Sequence, residues 1–198
     1  ACCINLERRK DRLKHIKLQL PKICDQSKII KGVDTKSSLG CGLSHQKCIK
    51  YAIKNNLDYI LVVEDDCIFK DNAKEILLNY LKKVPDNWDI LLGGLSWMKN
   101  PKYIKKNNIF LLKEFTGAFC IVYKRSCYKT ILSWTYKKKK HFDRYINIFS
   151  KSNKLNIYCM PQFIATTISD YSDIRNERVN DDKNYINKMQ IKLQRLIR

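Results

Sequence analysis

The chain has 198 residues, with 39 Lys and Arg against 19 Asp and Glu, a formal net charge of +20 at pH 7. Its 44% hydrophobic and 11% aromatic content excludes wholesale disorder, and its length suits one well-cored domain over residues 1–198 and is short for two. No run around the central apolar segment approaches the roughly 20 apolar residues of a bilayer span, and the start, ACCINLERRK, lacks the apolar stretch of a signal peptide.

In chain order, CCINL (2–6) reads as a first strand. Leu13, Ile16 and Leu20 then recur at helical spacing, and Pro21 ends that helix. SKIIKGVD (27–34) predicts a second strand. GCGLSHQKCIKYAIKNN has a glycine-rich entry, then Cys48, Ile49, Ala52 and Ile53, which predicts a helix starting near Leu43 or Ser44. DYILVVED is a third strand. Asp71 or Asn72 is placed to cap a helix carrying Ala73, Ile76, Leu77, Tyr80, Leu81 and Val84 on one face. DILLGGL follows as a fourth buried strand, and NIFLLKEF and GAFCIVYKR as two further strand-like runs. SCYKTILSWTYK and DRYINIFSKS return to helical spacing, NIYCMP is a last strand, and an amphipathic helix covers about 182–198. Strands alternating with helices imply an α/β fold with a mostly parallel sheet covered on both faces. The adjacent runs at 109–124 look antiparallel and make the sheet mixed.

Nine cysteines, an odd number without a C-x-x-C pair, read as reduced thiols of a reducing compartment. That points to a cytoplasmic protein, soluble or peripheral at a membrane surface. A zinc centre needs clustered ligands at regular spacing; with three His residues and no such clustering, none is expected. The basic excess has three readings: nucleic-acid binding, attraction of an anionic substrate, or lysine-rich solvated faces. Only YKKKK (136–140) is a concentrated run, which leaves solvated faces as the default.

In such sheets ligands gather outside the carboxyl ends of the strands. The run LVVEDD places Glu64, Asp65 and Asp66 there, and alternation puts Glu64 and Asp66 on one side with Asp65 on the other. Paired acids at a strand end suit a hard divalent cation, or else form a solvated turn. Arg8 and Arg12 are four apart, so on a helix they would share a face and could clamp a diphosphate, or form a basic exposed face. Ser44 and His45 fall at an expected helix N-terminus, where anions are favoured, or are an ordinary cap and a surface His. Asp143 in HFDRYI sits at a helix start, where the plain reading is an N-cap.

The ordered set INLERRKDR, GVD, GCGLSH, VVEDD, WDILLGG, GAFCIVYKR and FDRYI resembles glycosyltransferase family 25, from about Ile4 to Ile174. That family includes bacterial lipooligosaccharide sugar transferases and collagen hydroxylysine galactosyltransferases. The resemblance implies a GT-A-type, Rossmann-like fold, a UDP-sugar donor and inverting hexose transfer assisted by Mn²⁺ to a hydroxyl on a glycan or protein. It implies that Asn5, Arg8 and Arg12 line the donor pocket and that Asp34 approaches the nucleoside. Ser44 and His45 would meet the ribose or phosphates, Glu64 would lie beside the nucleotide, and Asp66 would be the direct metal ligand. Asp143 is the candidate base, with Asp89, Asp170 and Asp173 as rivals. Two alternatives are a catalytically inactive sugar-nucleotide-binding relic and a basic nucleic-acid-binding protein.

Overall fold

A strand buried on both faces reads as an unbroken apolar run, and Ile60, Leu61, Val62 and Val63 form one, each no more than 8% exposed. Around it the computed structural model describes residues 1–35, 38–117, 119–135, 141–168, 171–172, 177–178 and 182–197. The elements begin with β1 (Cys2–Asn5), α1 (Lys10–Gln19), β2 (Lys28–Lys31), α2 (Leu39–Lys54), β3 (Tyr59–Glu64), β4 (Cys67–Phe69) and α3 (Ala73–Lys83). They continue with β5 (Ile90–Leu92), β6 (Trp97–Lys99), β7 (Lys102–Ile104), β8 (Ile109–Leu112), β9 (Glu114–Thr116) and β10 (Cys120–Lys124). Then come α4 (Tyr128–Leu132), α5 (Phe142–Lys151), β11 (Ile157–Cys159), β12 (Ala165–Thr167), β13 (Tyr171–Ser172), β14 (Glu177–Arg178) and α6 (Asp182–Arg195).

The central sheet has eight strands in the order β2-β1-β3-β10-β5-β11-β8-β7. β2, β1, β3, β5, β11 and β7 run one way; β10 and β8 run the other. The sheet is therefore mixed and mostly parallel, flanked by helices, as expected. The runs at 109–124 are its two reversed strands. They do not pair with each other: β10 lies between β3 and β5, and β8 lies between β11 and β7. Three-residue strands β4 and β12 pair antiparallel, as do β6 and β9; of the four only β9 overlaps a predicted strand run, NIFLLKEF.

The helix α2 begins at Leu39, about one turn earlier than the glycines suggested. Gly40 explains the early start, because its backbone N–H donates to Thr35 Oγ1 at 2.8 Å and a Cβ built on it would lie 2.2 Å from Val33 O. The helix thus enters by pressing its first turn against the loop from β2, a close approach only glycine allows. Ser44 fastens the same junction: its hydroxyl donates to Gly40 O at 2.6 Å and accepts from Val33 N at 2.8 Å. Among the described residues no helix is long and apolar enough to cross a membrane.

Gly to Ala inside a helix ordinarily stabilises by about 1 kcal/mol. At position 40 the sign is expected to reverse, with Gly40→Ala lowering stability by about 1–3 kcal/mol through backbone overpacking. A thermal melt checks it, and a raised midpoint would show that the loop at Val33 yields freely.

Candidate active site

β1 and β3 pair in parallel with Ile4 opposite Glu64, so Asn5 leaves β1 where the acidic run leaves β3. Asn5 Nδ2 donates to Asp65 Oδ2 at 2.7 Å and to Arg9 O at 3.1 Å. From the first turn of α1, Arg12 Nη1 donates to Asp65 Oδ1 and to Asp66 Oδ2, both at 3.2 Å. Asn5, Arg12 and Asp65 are all buried. On the next turn, His15 Nε2 meets Cys67 O at 2.9 Å, so α1 is tied twice to the segment that follows β3.

Two carboxylates share one guanidinium, with a third beside them. Burial pushes the Asp65 pKa up against the opposing pull of Arg12 and Asn5. Asp66 is raised from 3.8 to about 7, first by burial and then by the negative charge of Glu64, with Arg12 opposing. Asp66 Oδ1 is buried and has no hydrogen-bond partner. An acid pair whose charge is undersatisfied, with one oxygen orphaned, is a donor set that fits a hard cation.

The other flank of Glu64 is formed by α2. The Cys41 thiol donates to Glu64 Oε1 at 3.7 Å, and His45 Nε2 lies 3.7 Å from the same oxygen. His45 is wholly buried, its Nδ1 is 2.9 Å from Tyr123 OH, and its ring stacks on Phe142 at 4.8 Å. Burial and the charges of Glu64 and Asp143 push the Cys41 thiol well above its usual range. Asp143, in the first turn of α5, accepts from Arg144 N at 2.7 Å and from Gly117 N at 3.4 Å.

Asn5, Arg12, Glu64 and Asp66 therefore converge at one sheet edge, with His45 against Glu64 and Asp143 near Cys41. Several local expectations need correcting. Arg8 precedes α1, which starts at Lys10, so it shares no helix face with Arg12. Arg8 Nε instead pairs with Asp34 Oδ2 at 2.7 Å, with both side chains half-exposed, while Arg12 is buried against the acids. Ser44 and His45 are not at a helix N-terminus; they lie in the second turn of α2, and the Ser44 hydroxyl serves the backbone of Gly40 and Val33. Asp65 does not point away from Asp66, because β3 ends at Glu64 and both acids reach Arg12 from the turn beyond it. Asp143 lies one residue inside α5, with His141 at the cap position.

Of the rivals to Asp143, Asp89 precedes β5 at the opposite edge of the sheet and accepts from Asn156 N and Ser126 Oγ. Asp170, Asp173 and the 136–140 run lie outside the described residues. Cys41 and Tyr123 escaped the sequence reading altogether. The four-residue spacing of Cys41 and His45 was the available signal for the first, and nothing local marks the second.

The fold and this edge define an α/β domain with charged side chains gathered where parallel sheets receive ligands. The sequence model of glycosyltransferase family 25 (LPS biosynthesis protein) matches residues 35–183. This chain belongs to that family. A Haemophilus influenzae protein named "Putative glycosyltransferase" is 37% identical over 68 residues, covering 34% of this chain and 24% of that protein, so the match spans about a quarter of the relative. Among solved structures, A197 from STIV is 10% identical with a TM-score of 0.49, covering 90% of this chain and 91% of its own. Apo UDP-glucose pyrophosphorylase is 12% identical with a TM-score of 0.43, covering 93% and 70% respectively. The segment carrying Asn5, Arg8, Arg12 and Asp34 precedes the family match; the sheet register and Arg12 join it to the acidic turn.

The raised Asp66 acidity has a stability consequence with a definite sign. A carboxyl whose folded pKa exceeds its unfolded value contributes stability below the unfolded value, near 4, and loses it as pH rises through about 7. In metal-free protein, Asp66→Asn is therefore expected to raise the melting midpoint by about 3 °C or more at pH 8, and by less at pH 5. Melting curves at both values check it; equal midpoints for variant and parent at pH 8 would show that Asp66 carries no such strain.

Proposed function

We propose that this chain moves a hexose from a UDP-sugar to a hydroxyl on a glycan or protein, with inversion, in a GT-A-type arrangement with a divalent cation at Asp66. The observation that carries the reading is the orphaned, buried Asp66 Oδ1 beside Glu64, in a chain of glycosyltransferase family 25. Asp66 would hold the cation, with Glu64 beside the nucleotide. A cation such as Mn²⁺, when bound, supplies Lewis-acid stabilisation of a diphosphate leaving group.

The chain's own residues supply the rest. Arg12 offsets the acid pair, so that Asp65 and Asp66 are held in place before any ligand arrives. Half-exposed Arg8, ion-paired with half-exposed Asp34, is placed to exchange that partner for a phosphate oxygen. Asn5 is committed to Asp65 and Arg9, and so fixes the Asp65 carboxylate at the end of β1. As the sugar–phosphate bond breaks, the anomeric carbon gains oxocarbenium character and the acceptor hydroxyl must lose its proton. Asp143 is the base we assign to that proton, its carboxylate oriented by the backbone N–H groups of Arg144 and Gly117.

Binding and chemistry separate in two variants. Asp66→Asn is expected to abolish both cation-dependent UDP binding and sugar transfer. Asp143→Asn should leave UDP binding near the parent value and lower transfer by about 10²–10⁴-fold, because a base acts only as the proton departs. Calorimetry with UDP and Mn²⁺, and turnover of a panel of UDP-sugars with hydroxyl acceptors, read the two effects. UDP affinity unchanged by chelator would remove the cation. Cation-dependent binding without transfer to any acceptor would mark a binding relic.

A further inference from the structure

Cys41 and His45 are four residues apart in the first two turns of α2, so their side chains share one helix face. Glu64, ending β3, closes against that face. One ligand atom from each of the three lies within 4.8 Å of the others, with Cys41 Sγ and His45 Nε2 each 3.7 Å from Glu64 Oε1. A tetrahedral zinc ion, with bonds of ~2.3 Å to sulfur and ~2.0–2.1 Å to nitrogen and oxygen, spaces its ligand atoms about 3.3–3.6 Å apart. Little movement separates the cluster from that geometry.

A weak Cys41 thiol hydrogen bond to Glu64 accounts for one edge of the cluster but leaves His45 Nε2 without a function. That nitrogen is buried, has no hydrogen-bond partner and faces Glu64. The ring is held as a metal-bound imidazole usually is, with Nδ1 on Tyr123 OH and one face on Phe142. Cys41 and Glu64 remain partly exposed, which leaves a way in and room for a fourth ligand.

We propose that Cys41 Sγ, His45 Nε2 and the Glu64 carboxylate form a binding site for a thiophilic divalent cation, zinc, separate from the oxygen donors of Asp66. On binding, a sulfur–zinc bond forms, the Cys41 S–H proton passes to solvent, and the ion stays divalent, so no oxidant or reductant takes part. A sulfur–nitrogen–oxygen set selects zinc over manganese or magnesium, which favour oxygen.

The test uses the full chain, stripped with chelator and titrated with Co²⁺ as a spectroscopic probe and then with Zn²⁺. One equivalent of Co²⁺ is expected to give a thiolate-to-cobalt charge-transfer band in the near ultraviolet, which one equivalent of Zn²⁺ abolishes. In Cys41→Ser the band should fall more than tenfold, while in Asp66→Asn it should persist. No band in the parent, a band retained in Cys41→Ser (another of the nine cysteines binding), or a band lost in Asp66→Asn each overturns the proposal. Because His45 is wholly buried and its variants can fail to fold, Glu64→Gln supplies the second ligand test. Its Zn²⁺ affinity should drop more than tenfold at an unchanged melting midpoint, and unchanged affinity overturns the three-ligand assignment.

Discussion

The buried guanidinium of Arg12 is the interaction on which the site depends. It bridges Asp65 and Asp66 from the first turn of α1 and thereby joins the first βα unit to the end of the third strand. Removing the guanidinium would leave two buried carboxylates uncompensated, at a cost of about 3–5 kcal/mol. The same contact aims the acids. Asp65 is saturated by Asn5 and Arg12, whereas Asp66 has one oxygen on Arg12 and the other without a partner. One cation shared by two anions thus produces two unlike carboxylates from adjacent residues, one structural and one available.

Where a segment's burial is set by its own period, the sequence was legible. The helix from Lys10, the strand ending at Glu64 and the amphipathic C-terminal helix all appear where their apolar spacing places them. Where a partner far along the chain decides, it was not. Gly40 and Gly42 read as loop, yet Gly40 enters a helix because the carbonyl of Val33 presses on it and leaves no room for a side chain. The three-residue strands β4 and β12 are too short to carry a period and exist because they pair with each other.

The site followed the same division. Acids at a strand end and a basic segment after the first strand were visible as residue types, and the structure brings them to one edge. Their pairing was not visible. Alternation assigned Asp65 to the far side, but alternation stops with the strand, and both acids turn toward Arg12. The cluster of Cys41, His45 and Glu64 joins the start of a helix to the end of a strand, with Cys41 and Glu64 23 residues apart in sequence. A count of histidines misses it; the four-residue spacing of Cys41 and His45 shows two of its members, and only the fold supplies Glu64.

The place of β10 in the sheet bears on how the chain reaches this state. Residues 120–124 lie between strands formed by 59–64 and 90–92, so β3 and β5 cannot join one sheet in this order until the chain beyond residue 120 arrives. During synthesis the earlier segments emerge with the apolar flank of β3 unpaired on that side, an edge open to the wrong partner. Closure of the sheet also brings Glu64 N to Phe119 O at 2.8 Å, so the acidic turn is set in the same event. Assembly of the charged edge and completion of the core are in that sense one late, non-local step, of the kind that slows folding.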